Sequence, residues 1–159
     1  MRFKMLFVSV LFSSLAGAQQ AVVDVSLHPA GSFKIKTSDI KGAVTQKGNS
    51  FEAQNITVGL KSLQTGIELR DTHTKKHLDV EKFPEVFLIS AKGEGGKGTG
   101  VIKIKGIEQK ISGSYKIEGN ELVAEFPLKL SEFQITGIKY MGVGVDDDIK
   151  VTVTIPVKK

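Results

Sequence analysis

The chain of 159 residues has no cysteine and no tryptophan, and only 4 prolines. Without cysteine there is no disulfide framework, no thiol nucleophile and no thiolate metal site. Such a domain must hold itself together by burial, which is feasible at this size. Arginine is nearly absent too: Arg2 and Arg70 are the only two. A nucleic-acid surface wants clustered Arg and Lys with interleaved aromatics, whereas here the lysines alternate with apolar residues, which argues against nucleic acid as a partner. No apolar run reaches the roughly 20 residues that a membrane-crossing helix needs.

What is present at the N-terminus differs in kind from the rest. Arg2 and Lys4 make a positive start, residues 5–15 are almost wholly apolar, and Ala16-Gly17-Ala18 is a small-residue pattern. This reads as a secretory signal peptide over residues 1–18, cleaved after Ala18. Removal leaves 159 − 18 = 141 residues, 19–159, as one domain, and without Arg2 and Lys4 the net charge falls from +5 to +3. No cysteine follows Ala18, so acylation of a new N-terminal cysteine is excluded.

Beyond residue 20 the dominant signal is period-two alternation. Val23, Val25 and Leu27 share one parity, as do Phe33 and Ile35. The pattern continues through Ile56, Val58 and Leu60, through Phe87, Ile89 and Ala91, and through Ile102 and Ile104. It returns in Ile111, Tyr115 and Ile117, in Leu122, Ala124, Phe126 and Leu128, and in Ile149, Val151, Val153 and Ile155. Gly-containing turns at residues 47–50, 93–96 and 118–121 separate these runs and imply antiparallel neighbours. About eight strands result. Such antiparallel strands form a sandwich or close into a barrel, and at eight strands a barrel interior is filled by side chains or holds one small ligand.

Alternation lapses in two places. In residues 62–84, Thr65-Gly66-Ile67-Glu68 offers a capping box, residues 71–78 read as a short helical turn, and Phe83-Pro84 ends the segment. Residues 131–148, with Gly137, Gly142 and Gly144, read as a long connection before the last strand, with Asp146-Asp147-Asp148 as a turn.

The run Arg70-Asp71-Thr72-His73, followed by Leu78 and Phe83-Pro84, resembles the segment of YceI-like proteins in which a short helix carries R-D-x-H and leads to an aromatic-proline pair. The strand pair around residues 100–105 and 109–115 resembles that family's G-x-L-x-I-x-G hairpin, and Leu128-Lys129-Leu130-Ser131-Glu132-Phe133 its late K-L-S-x-F segment. The likeness spans nearly all of residues 19–159. It implies an all-β, lipocalin-like barrel of eight antiparallel strands with one short helical crossover, exported to the bacterial periplasm, that binds an isoprenoid or other amphiphilic lipid without catalysis. The region of Val25 to Phe33 departs from longer members by lacking an early tryptophan and a histidine-serine pair.

On that reading the apolar ligand site is Ile56, Val58, Leu60, Phe87, Ile89, Ile102, Ile104, Tyr115, Ile117, Phe126, Leu128, Val151 and Val153. Arg70 is the head-group candidate, because a planar guanidinium binds phosphate oxygens bidentately, and Lys139 joins it if the crossovers cap the mouth. The competing role for Arg70 is an ion pair with Glu68 or Asp71. No cofactor is called for, and a homodimer is conceivable for a long chain. Two alternatives belong to other classes. A solid barrel with Phe51, Phe87 and Phe126 meeting at its centre is an interaction module of the envelope stress response. A metal-dependent enzyme uses His73 and His77, four residues apart, although a catalytic zinc wants three protein ligands. No G-x-S-x-G elbow or nucleotide-binding glycine loop is present.

Overall fold

The structure, a computed structural model, describes residues 19–140 and 142–159, so the expected signal peptide over residues 1–18 lies outside the described residues. The described chain forms eleven strands and one α-helix. The strands are β1 (Gln20–His28), β2 (Ser32–Thr37), β3 (Ile40–Lys41), β4 (Val44–Lys47), β5 (Ser50–Gly59), β6 (Glu85–Glu94), β7 (Lys97–Ile104), β8 (Ile107–Glu118), β9 (Glu121–Lys129), β10 (Lys139–Tyr140) and β11 (Val143–Lys158). Helix α1 is Glu68–Leu78, and a 3-10 turn covers Leu130–Phe133.

The ring closes as β11-β4-β5-β6-β7-β8-β9 and back to β11, which is seven strands rather than the expected eight. An odd ring cannot be antiparallel throughout, because alternating directions around a closed circle require an even count. The mismatch is absorbed where Val157 and Lys158 of β11 run parallel to Val44 and Thr45 of β4. β11 is 16 residues long, so it also has length to pair with β9 on one edge and β1 on the other. The β1–β2 hairpin is therefore an extra flap on the barrel wall rather than a member of the closed ring.

Three two-residue hairpins, at residues 48–49, 95–96 and 119–120, lie at one end. Gly48, Gly95, Gly96 and Gly119 take positive φ there, the conformation that such turns demand. The 60–84 crossover, the β7–β8 turn and residues 130–142 all fall at the other end, because each strand reverses direction.

Two irregularities interrupt the wall. Asn55 adopts φ 53°, and pairing with β6 skips from Gln54↔Ser90 to Ile56↔Leu88. Against β7, pairing of β6 shifts between Leu88 and Ser90, which leaves Ile89 as the extra residue. An extra residue exchanges the two faces of a strand. Gly113 lets β8 and β9 approach closely: a methyl group there would collide with the carbonyl oxygen of Glu125 and lie 2.8 Å from Phe126 Cβ.

The connections also differ in detail from expectation. Asp146, Asp147 and Asp148 lie inside β11 instead of in a turn. Asp147 accepts hydrogen bonds from the Ser131 amide and hydroxyl, both at 2.7 Å, and so pins the 3-10 turn to the strand. Phe133 in that turn is 0% exposed and anchors a core with Ile102, Leu128, Ile135 and Val151.

Candidate functional site

Within the barrel is a cavity of about 710 Å³. Its wall is almost entirely apolar, and the strands of the closed ring contribute to it by alternation. Of the residues expected to face it, Ile56, Val58, Leu60, Ile102, Ile104, Tyr115, Phe126, Leu128, Val151 and Val153 line it.

Phe87, Ile89 and Ile117 do not. In β6 the bulge at Ile89 reverses parity, so that Val86 and Leu88 face inward before it and Ala91 and Gly93 after it. Phe87 is turned outward and is 40% exposed. Ile117 keeps the parity of Tyr115, yet it lies where β8 runs out toward its hairpin and is 45% exposed. The arrangement in which Phe51, Phe87 and Phe126 fill the centre is absent: Phe51 and Phe126 stand on the cavity wall and Phe87 lies outside.

The structure adds lining residues from the β1–β2 flap, among them Val23, Val25, Phe33 and Ile35. The alternation that marks these residues as one buried face is the signal that places them there.

Helix α1 covers one end. It begins without a side-chain cap, so the expected capping box does not form. Instead Asp71 reaches back, accepting from the Thr65 amide at 2.6 Å and the Thr65 hydroxyl at 2.5 Å. Those bonds, the hydroxyl's first, hold the Asp71 carboxyl below the usual carboxylate range. The helix ends at Asp79, which is left-handed and donates its amide to the Lys76 carbonyl oxygen. Leu63 and Val80, both buried, tie the crossover to the barrel.

Arg70 is half-buried on the cavity wall. Its Nη2 donates to the Thr65 carbonyl oxygen at 2.6 Å, and its guanidinium lies 4.3 Å over the Phe33 ring. Neither Glu68 nor Asp71 forms the expected ion pair with it within bonding distance. Among the described residues, the buried side-chain atoms left without a hydrogen-bond partner are Arg70 Nε and Glu121 Oε2, and only the first belongs to a cavity-lining residue. Lys139, in β10, is exposed at the rim of the same cavity.

His73 and His77 line the cavity as well. Partial burial, and then the charges of His73, Lys76 and Lys105, push the His77 imidazole below its ordinary value. Among the described residues no cluster of three His, Asp or Glu side chains is placed to hold a metal. The same residues include no helix long and apolar enough to cross a membrane.

Comparison with solved structures places this architecture among known ones. A crystal structure of Burkholderia cenocepacia BcnA aligns with TM-score 0.65 at 17% identity, covering 86% of this chain and 94% of that one. A polyisoprenoid binding domain from Saccharophagus degradans, implicated in plant cell wall breakdown, aligns with TM-score 0.61 at 9% identity over 87% and 92% of the two chains. A mutant CJ YCEI protein with a monobromobimane guest gives TM-score 0.55 at 16% identity over 76% and 82%. At these identities the likeness concerns the fold. No curated protein matches in sequence. The sequence profile of the YceI-like domain, however, matches residues 13–157. With nearly its whole length matched, the chain belongs to the YceI-like domain family.

Proposed function

We propose that this protein is a non-enzymatic carrier that shelters the hydrocarbon part of an isoprenoid or similar amphiphilic lipid inside its barrel, and that it works in the periplasm after removal of residues 1–18. The observation that carries the reading is the aliphatic cavity of about 710 Å³, well inside the range of roughly 300–1,000 Å³ in which small-molecule sites fall. Its wall offers dispersion and dehydration but few hydrogen bonds, which suits a chain rather than a sugar or a nucleotide.

Each buried methylene contributes about 0.8 kcal/mol, so roughly ten contribute about 8 kcal/mol. Association costs at least about 4 kcal/mol of that. Chain burial alone thus supports binding in a weak to moderate range, and a longer chain or a paired head group strengthens it. The polyisoprenoid binding domain of Saccharophagus degradans, which shares the fold, supports the choice of ligand class.

The test is native extraction followed by lipid mass spectrometry, together with uptake of an apolar fluorescent probe. Val151 and Leu88 face each other's side of the cavity from β11 and β6. Wild-type protein is expected to release a bound amphiphile and to take up the probe, and Leu88→Lys or Val151→Lys to lose both while folded. Recovery of no amphiphile, together with no probe uptake by wild-type protein, overturns the carrier reading. The periplasmic assignment is checked by N-terminal sequencing of exported protein, expected to begin at Gln19.

A further inference from the structure

Helix α1 presents an unusual face to the cavity. Residues 70, 73, 74, 77 and 78 follow the i, i+3, i+4, i+7, i+8 spacing that defines one side of a helix, and all five line the cavity. On a helix lying over an apolar interior that stripe is ordinarily aliphatic. Here it reads Arg70, His73, Thr74, His77 and only then Leu78, while the aliphatic Ile67 and Leu69 at the rim are each 54% exposed. Packing alone does not account for nitrogen-bearing side chains along an apolar chamber.

We infer that the cavity face of α1 is a head-group reader that selects anionic amphiphiles, phosphate or carboxylate, over neutral ones of the same chain, and that it takes up a proton when the anion binds. The inference rests on the proposed lipid-carrying role and names the chemical class of the cargo's head.

Three observations support it. First, the Arg70 guanidinium has its face on Phe33 and one nitrogen committed to the Thr65 carbonyl, yet Nε is buried with no acceptor. A buried donor without a partner costs free energy, so this guanidinium is incompletely satisfied by the protein itself. Stacking on a ring leaves the guanidinium edge, where its donors lie, available to an oxyanion.

Second, the charge that lines the cavity is unbalanced. The carboxylates on the cavity wall are Glu52 and Glu125, and each already has a lysine: Lys47 at 2.8 Å and Lys150 at 3.7 Å. Asp71 on α1 is held by Thr65 and does not line the cavity. Lys139 adds a further cation at the rim.

Third, His77 lines the cavity in a basic neighbourhood, with Lys76 on its own helix and Lys105 in the β7–β8 turn. Partial burial first, and then the nearby charges, disfavour the protonated imidazole. An arriving anion reverses the local field, and a neutral imidazole beside it then gains a proton. The proton comes from solvent, no covalent bond changes, and affinity for the anion rises as pH falls.

Displacement of an apolar fluorescent probe by farnesol, farnesoic acid and farnesyl phosphate, on the full domain, tests this. The two anions are expected to compete roughly tenfold or more better than the alcohol, the equivalent of one charge-assisted hydrogen bond. For farnesoic acid the preference should grow from about pH 8.5 to about pH 6, a window in which a carboxylate stays ionised. Arg70→Gln is expected to collapse the preference. His77→Asn, which leaves the ties of Arg70 to Thr65 and Phe33 in place, is expected to abolish its pH dependence. Lys116→Gln, on β8 and away from the cavity lining, should change neither.

Equal affinity for all three compounds, or a preference for the alcohol, overturns the head-group reading and leaves the carrier role standing. An anion preference that persists unchanged in both Arg70→Gln and His77→Asn also overturns it. Displacement by inorganic phosphate alone would mean that the stripe binds free anions instead of amphiphile heads. Failure of every compound, farnesol included, overturns the carrier role itself.

Discussion

The two ends of the barrel are built on opposite terms. At one end three two-residue hairpins bring strands together by the shortest possible route. Phe51 and Tyr115 meet there edge to face, 5.4 Å apart, and Ile155 is almost fully buried beside them. Aromatic and aliphatic side chains pack together at that end. At the other end two long connections, residues 60–84 and 130–142, accompany one short β7–β8 turn; buried Leu63, Val80 and Phe133 anchor them, and hydrogen bonds add to the hold: Asp71 to Thr65, Asp147 to Ser131, Arg70 to Thr65. The comparison teaches how one small barrel separates stability from access. Short turns over packed side chains make a floor, and polar ties over an aliphatic cavity make a lid.

Four substitutions break or sharpen the contrast, from the largest effect to the smallest. Phe133→Ala removes the side chain that anchors the 3-10 turn, and from its complete burial a loss of about 3–5 kcal/mol is expected in chemical denaturation. A loss under about 1 kcal/mol would show that the long connections are not held by packing at all. Gly113→Ala drives a methyl group into the β9 backbone, and the overpacking is expected to cost about 1–3 kcal/mol in the same assay.

The third concerns acid. Asp71 and Asp147 both have carboxyls held below their ordinary range by hydrogen bonds from Thr65 and Ser131 respectively. A depressed carboxyl contributes stability that is present above its unfolded value and is lost as pH falls through the folded one. Amide hydrogen exchange is therefore expected to show the lid end opening before the floor as pH drops below the usual carboxylate range. Asp71→Asn should remove the part of that dependence carried by residues 60–84. Simultaneous opening of both ends would break the comparison. The smallest effect belongs to Phe87→Ser: being exposed and outside the cavity, it should alter stability by no more than about 0.5 kcal/mol and leave probe uptake unchanged.

Much of this architecture is legible in the sequence, and the reasons are local. Apolar residues at every second position of β1, β9 and β11 declare which side is buried, and Gly48-Asn49, Gly95-Gly96 and Gly119-Asn120 declare their turns by conformational demand. The signal fails where one residue breaks the period. Phe87, Ile89 and Ala91 form a faultless alternating series, but the bulge at Ile89 places Ala91 on the cavity side and Phe87 on the other. No composition rule announces a bulge filled by isoleucine. The strand count failed for a different reason: pairing of β11 with four partners is a property of the closed sheet, and alternation reports faces without reporting neighbours. For α1, Arg70 was legible as a head-group candidate by its chemistry. That His73 and His77 share its cavity face is visible only once the helix lies over the barrel.

The last strand carries a consequence for how the chain comes to be folded. β11 supplies the closing seam on both edges of the ring, and its contacts reach back to Gln20, which pairs with Thr154. Such pairings span nearly the whole sequence, and entropy charges most for loops that long. Before residue 143 is made, the strands amount to an open β4–β9 sheet with bare edges at β4 and β9 and a separate β1–β2 hairpin. As the chain emerges from its N-terminus onward, closure must wait for the final sixteen residues of β11, Val143–Lys158. The barrel's container and its completion signal are the same strand, so a chain cut short before it has no interior to fill.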